Sequence, residues 1–128
     1  MSRQIAGCVF AAFLLLMAGC RSAPVYDVVA APVTITKPVS MGNMERAIIG
    51  AGTGLGWRMV PQTPGQIEGV LALRDHRAVV TVTYDTKSYS IKYKDSSNLN
   101  YDGKSIHKNY NGWVENLDRA IRNNLAAL

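Results

Sequence analysis

Between residues 78 and 85 apolar and polar side chains alternate: Ala78, Val80, Val82 and Tyr84 fall on one side, Thr81, Thr83 and Asp85 on the other. A period of two predicts a strand with one buried face. After a reversal at Thr86 the pattern returns, with Tyr89, Ile91 and Tyr93 opposing Ser88, Ser90, Lys92 and Lys94. Upstream, residues 67–74 are apolar on both sides, as expected of a central strand, and a turn at 61–65 joins them to a short strand at 57–60 carrying Trp57 and Met59 on one side. These four strands form an antiparallel meander with one wet face.

The helical period takes over at both ends of the meander. Tyr110, Trp113, Val114, Leu117, Ala120, Ile121 and Leu125 make one apolar stripe, with Glu115, Asp118, Arg119 and Arg122 opposite and Asn109 placed to cap. Trp113 is expected to bury the largest area, so Trp113→Ala should cost about 3–5 kcal/mol. A first helix at 43–56 places Met44, Ala47, Ile48, Ala51 and Leu55 on one side, with Asn43 as its cap. Glycines at 50, 52, 54 and 56 weaken it by up to about 1 kcal/mol each. They match no phosphate-cradling pattern, so close packing of helix on sheet is the preferred reason for them. The expected fold is α+β, a single small domain in the order α-β-β-β-β-α, with the antiparallel sheet carrying two helices on one face.

The N-terminus changes how the composition is counted. Arg3, a thirteen-residue apolar run at 5–17 and the small pair Ala18-Gly19 have the anatomy of a signal peptide, and the run is too short to cross a bilayer. Leu16-Met17-Ala18-Gly19-Cys20 resembles the bacterial lipobox, with Met17 where leucine is usual. The resemblance implies that residues 1–19 are removed and that Cys20 carries a covalent lipid. Arg21 in the following position implies transfer to the outer membrane, with the domain in the periplasm. Of 14 basic and 9 acidic residues, only Arg3 leaves with the signal, so the remainder stands at +4. Cys8 leaves as well, and Cys20 is then an anchor with no disulfide partner. Residues 20–40, interrupted by Pro24, Pro32 and Pro38, read as the lipidated cysteine and a flexible tether of roughly 25 Å, although residues 33–36 are β-prone enough for an edge strand. Residues 41–128 are then the globular domain, and what remains has room for one.

The segment between the last strand and the last helix holds the candidate chemistry. It carries Tyr93, Asp95, Ser96, Asn98, Leu99 and Tyr101, then Ile106, His107, Asn109, Tyr110, Asn111 and Trp113. This pattern, Tyr-x-Asp-Ser-x-Asn-Leu-x-Tyr followed by Ile-His-x-Asn-Tyr-Asn-x-Trp, resembles a group of small proteobacterial lipoproteins and periplasmic proteins of uncharacterised function. The resemblance covers most of residues 41–126 and implies a fold but no activity.

Asn and Asp in such a segment can serve local turns. They can equally form a recognition surface, with Asp95, Ser96, Asn98, Asn100 and Asn111 supplying hydrogen bonds and Tyr101 and His107 amphipathic contact area. The expected function is a non-catalytic recognition or assembly module that contacts an envelope protein. Binding of peptidoglycan or another cell-wall component is the alternative. A hydrolase would recruit Ser96 or Ser105, His107, and Asp95 or Asp102, but no nucleophile-elbow motif is present. No cofactor is expected beyond the lipid, and no metal, since His76 and His107 lie in separate turns. His76 itself reads as a solvated turn residue. The basic residues form no block, so nucleic acid is not an expected partner. Lys92 and Lys94 with Arg74 or Arg77 make a modest basic edge, read chiefly as protection of a sheet edge and secondarily as attraction to an anionic surface.

Overall fold

A computed structural model describes residues 21–128; the signal-peptide reading and Cys20 lie outside the described residues. Two short strands come first, β1 (Ser22–Pro24) and β2 (Val28–Pro32), followed by α1 (Met41–Gly54). The predicted meander comes next as β3 (Arg58–Pro61), β4 (Gln66–Leu73), β5 (His76–Tyr84) and β6 (Ser88–Ser97). A three-residue β7 (Ser105–His107) leads directly into α2 (Lys108–Ala126). The main sheet is antiparallel, in the order β2-β6-β5-β4-β3, and β1 pairs with β7 in a separate ribbon. The α+β class, the four-stranded meander and the two helices on one face are as the sequence predicts.

Alternation sets the core. Ala78, Val80 and Val82 of β5 are fully buried, flanked by Ile67 and Leu71 of β4 and by Tyr89 and Ile91 of β6. Above them lie Met44, Ile48 and Ala51 of α1 and Tyr110, Val114, Leu117 and Ile121 of α2. The two helices are pinned where Asn124 Nδ2 donates to the Ala47 carbonyl at 3.0 Å. On the opposite face Val70 and Val79 pair across β4 and β5 and are also buried, so that face is not uniformly wet.

Five expectations change. Residues 22–32 are not a tether: Ser22 pairs with His107 and Pro24 with Ser105, while β2 adds an edge strand to β6. The prolines are compatible with this because Pro24 and Pro32 end their strands, where no further ladder bond is required. The edge strand falls at 28–32 and not at 33–36. Lys92 and Lys94 lie on an inner strand, with β2 pairing along Ser88–Ile91, and Lys94 is ion-paired with Glu68 instead of standing as a free edge charge. Trp113 is only half-buried, against His76, whereas Trp57 is 3% exposed in the core. The helix caps also differ: Ser40 Oγ accepts from the Asn43 amide to start α1 at Met41, and His107 in place of Asn109 caps α2.

The glycines divide by position. A β-carbon on Gly52 would collide with the Met59 side chain, and one on Gly69 would stand 3.1 Å from both Met59 Sδ and Val80 Cγ2. The Met59 thioether therefore runs between two bare backbones, which brings α1 down onto β3. Nothing lies within 4 Å of the corresponding point at Gly54. Gly52→Ala should cost about 1–3 kcal/mol by overpacking, while Gly54→Ala should gain about 0.4–1 kcal/mol from reduced freedom of the unfolded chain. Urea unfolding of the two variants checks the opposite signs.

Candidate functional site

Where β6 ends, the chain turns sharply enough to require two asparagines in the left-handed region, Asn98 at φ 59° and Asn100 at φ 53°. Asparagine tolerates this conformation better than most residues, which accounts locally for the composition of the loop. Leu99 between them is buried, and its carbonyl accepts from the His107 amide at 2.8 Å. Asn98 is held on both sides: its Nδ2 donates to the Asp75 carbonyl at 2.8 Å and its own carbonyl accepts from His76 Nδ1 at 2.9 Å. His76 is thus a clasp between the β4–β5 turn and this loop, in place of the solvated turn residue expected.

The loop folds back over β6 and encloses an open depression of about 500 Å³. Asp95, Ser96, Asn98, Asn100 and Tyr101 line it, together with Tyr93, Lys94 and Leu99. Tyr101, 42% exposed, stacks on Tyr93 with ring centroids 4.1 Å apart and planes tilted by 30°. Tyr93 in turn meets Tyr110 edge-on at 5.6 Å. The stacked pair gives the cleft an aromatic wall supported from the core.

Polar groups surround that wall. The Tyr93 hydroxyl and Ser96 Oγ are 2.7 Å apart, and Asp95 Oδ1 accepts from the Ser96 amide at 2.9 Å. Burial raises the Tyr93 phenol above its ordinary pKa, the Ser96 bond pulling the other way. Arg77 reaches Asp95 at a loose 3.5 Å, with Asp95 largely and Arg77 partly exposed, so the pair contributes little to stability. Asp95 is left available to an incoming donor. Beneath the wall the Tyr110 hydroxyl is buried without a hydrogen-bond partner among the described residues. Burial, and after it the charge of Asp27, push its pKa up.

Two of the predicted binding residues are elsewhere. His107 Nδ1 accepts from the Asn109 amide at 3.1 Å and so caps α2. Asn111 uses both ends of its amide on the N-terminal strands, Oδ1 accepting from the Tyr26 amide and Nδ2 donating to the Pro24 carbonyl, each at 2.9 Å. Among the described residues, neither Ser96 nor Ser105 is hydrogen-bonded to a histidine, and no group of His, Cys, Asp and Glu is placed to hold a metal ion. Tyr93, Lys94 and Leu99 were the lining residues that sequence reasoning left out of the site. For Tyr93 the signal was the strand period, which sets its ring on the same side as Ile91; Lys94 falls at the register shift between β5 and β6, which the sequence does not mark.

Asp102 closes the loop. Its Oδ1 accepts from the amides of Ser105 and Lys104 at 2.7 and 2.9 Å, and these bonds hold its carboxyl below the ordinary pKa. A depressed folded value means that the turn is supported above the unfolded pKa, near 3.9, and loses that support as pH falls through the folded value. Protection of the Lys104 and Ser105 amides, relative to intrinsic exchange at each pH, should fall as pH drops below ~3.9 while the β5 amides stay protected.

Compared with protein-family profiles, with curated proteins and with solved structures, the chain matches none.

Proposed function

We propose that this chain is a lipid-anchored envelope protein, held at the outer membrane through Cys20 and facing the periplasm, whose domain is a non-catalytic recognition or assembly module. The contact surface is the cleft between the Tyr93–Tyr101 stack and the Asn98–Asn100 turn. The observation that carries the reading is the gathering of Asp95, Ser96, Asn98, Asn100 and Tyr101, five polar or amphipathic side chains from one segment, around a single depression. A rigid aromatic wall with hydrogen-bonding groups at its rim is a frequent composition for a protein-binding surface. The lipobox-like Leu16–Cys20 segment supports the anchor.

Binding of a cell-wall glycan is the second reading, favoured by the same aromatic wall, on which a sugar ring can stack. A hydrolase built on His107 has less support, because that imidazole's Nδ1 is occupied in the helix cap.

Photo-crosslinking in living cells from a reactive residue replacing Tyr101, compared with one replacing Lys92 on the other face of β6, tests the proposal. A defined protein adduct from position 101 alone, lost when Asn98 and Asp95 are changed to Ala, is the expected result. No adduct at either position, with co-sedimentation of the protein on purified sacculi, would replace the first reading by the second. Labelling by an activity-based serine probe, abolished by His107→Ala, would overturn both.

A further inference from the structure

The pairing of β1 fixes where the preceding chain enters the domain. Ser22 lies opposite His107, so the described chain begins beside the start of α2. Two other segments are bonded to that same end. The His107 amide reaches the Leu99 carbonyl at 2.8 Å, and Asn98 next to it joins Asp75 and His76 of the β4–β5 turn at 2.8 and 2.9 Å. Arg21, Arg74 and Lys108 are exposed on these segments, with Arg77 half-buried one step into β5. Against them stand Asp75 and the Asp95 that faces Arg77. Neither Arg74 nor Lys108 is ion-paired among the described residues. Leu73, 44% exposed, sits beside Arg74.

We infer that this end is a docking surface for anionic phospholipid headgroups, which holds the domain flush against the bilayer in one orientation. The inference rests on the lipid-anchor reading of Cys20. Two residue steps separate Cys20 from Ser22, a reach of at most about 7 Å. That is shorter than the screening length of about 8 Å at physiological salt, so Arg21 stays within the field of the headgroups, and Lys108 and Arg74 follow on the segments bonded to the same end. A free tether over residues 20–40 would have let the domain drift out of that field; the β1–β7 ribbon prevents it. The Asn98 turn belongs both to this end and to the cleft, so the cleft adjoins the docked end.

The test uses the full chain, processed in cells and purified from membranes. The mass of its mature N-terminus states whether Cys20 is acylated. Spin labels are placed by Asn109→Cys at this end and, separately, by Lys87→Cys in the turn at the far end of β5. Relaxation by a nickel-chelating lipid is then read in nanodiscs of phosphatidylglycerol with phosphatidylcholine and of phosphatidylcholine alone. The expected result is strong relaxation at position 109 and weak relaxation at 87, dependent on phosphatidylglycerol and reduced by salt. Arg74→Gln combined with Lys108→Gln, both exposed and so compatible with folding, should lower the docked-to-undocked ratio roughly 25-fold, about fivefold per charge removed. Equal relaxation at the two positions in acylated protein, or no response to phosphatidylglycerol and the double variant, would overturn the docking surface and leave the anchor standing. A mature protein without lipid on Cys20 would overturn both.

Discussion

Trp57→Ala should lower the unfolding free energy by about 3–5 kcal/mol, a large share of the 5–15 kcal/mol that holds a domain of this size together. The ring is 3% exposed and sits where α1 hands over to β3, its amide donating to the Gly52 carbonyl at 2.9 Å. A β-carbon on Gly69 would approach its Cε3 to 3.3 Å, so the ring lies directly on the bare backbone of β4. The space it leaves lies between the end of α1 and the backbone of β4, where only the Met59 side chain is flexible enough to move in, and incompletely relaxed cavities are the costly ones. Trp113, half-buried at 6.5 Å from the His76 ring, should cost about 1–2 kcal/mol on the same substitution. Urea unfolding of both variants decides the order, and a larger loss at Trp113 would show that the core is centred on α2 instead.

Asp118→Ala should cost about 1.5–3 kcal/mol, the range for hydrogen bonds to a charged group. Asp118 was read as part of the polar side of its helix, yet it is 7% exposed and bonded inward. The Tyr89 hydroxyl donates to its Oδ1 at 2.6 Å, and Arg122 closes the triangle, 3.0 Å from Oδ2 and 3.3 Å from the tyrosine oxygen. Burial first, and then the bond to Asp118, raise the Tyr89 pKa. Arg122 is well exposed, so most of the cost arises at the tyrosine, whose hydroxyl would keep only a weak contact. Asp118→Asn, which retains an acceptor, should lose less. In a double-mutant cycle with Tyr89→Phe the coupling should reach 0.5–3 kcal/mol, and additivity would mean that the carboxylate is held by Arg122 alone.

The parts of this fold that repeat locally were legible, and the parts that close at long range were not. Ala78, Val80, Val82 and Tyr84 announce a half-buried strand because neighbouring side chains point to opposite faces, whatever the strand pairs with. Tyr110 to Leu125 announce a helix for the same kind of reason. Residues 28–32 announce nothing, because Ala30 takes φ 50° and shifts the register between Val28 and Ala31, breaking the alternation that would have marked an edge strand. Ser22–Pro24 is three residues long, and only its distant partner makes it a strand. The candidate site was half legible for a related reason. An asparagine's amide can face a ligand or satisfy backbone, and the sequence is the same in both cases: Asn100 lines the cleft, while Asn111 is consumed by Pro24 and Tyr26.

Those contacts of Asn111 reach back 85 and 87 residues, which sets an order of events in folding. The meander can form from neighbours in sequence, but the first strand has no partner until β7 and the first turn of α2 exist, and closing so long a loop is entropically late. The N-terminal ribbon should therefore be the last element to gain protection on refolding. A chain halted before residue 105 would keep β1 unpaired, as a ready handle for a chaperone or a protease. In the finished fold the same residues are locked away, so the closed ribbon certifies that the C-terminal helix is in place.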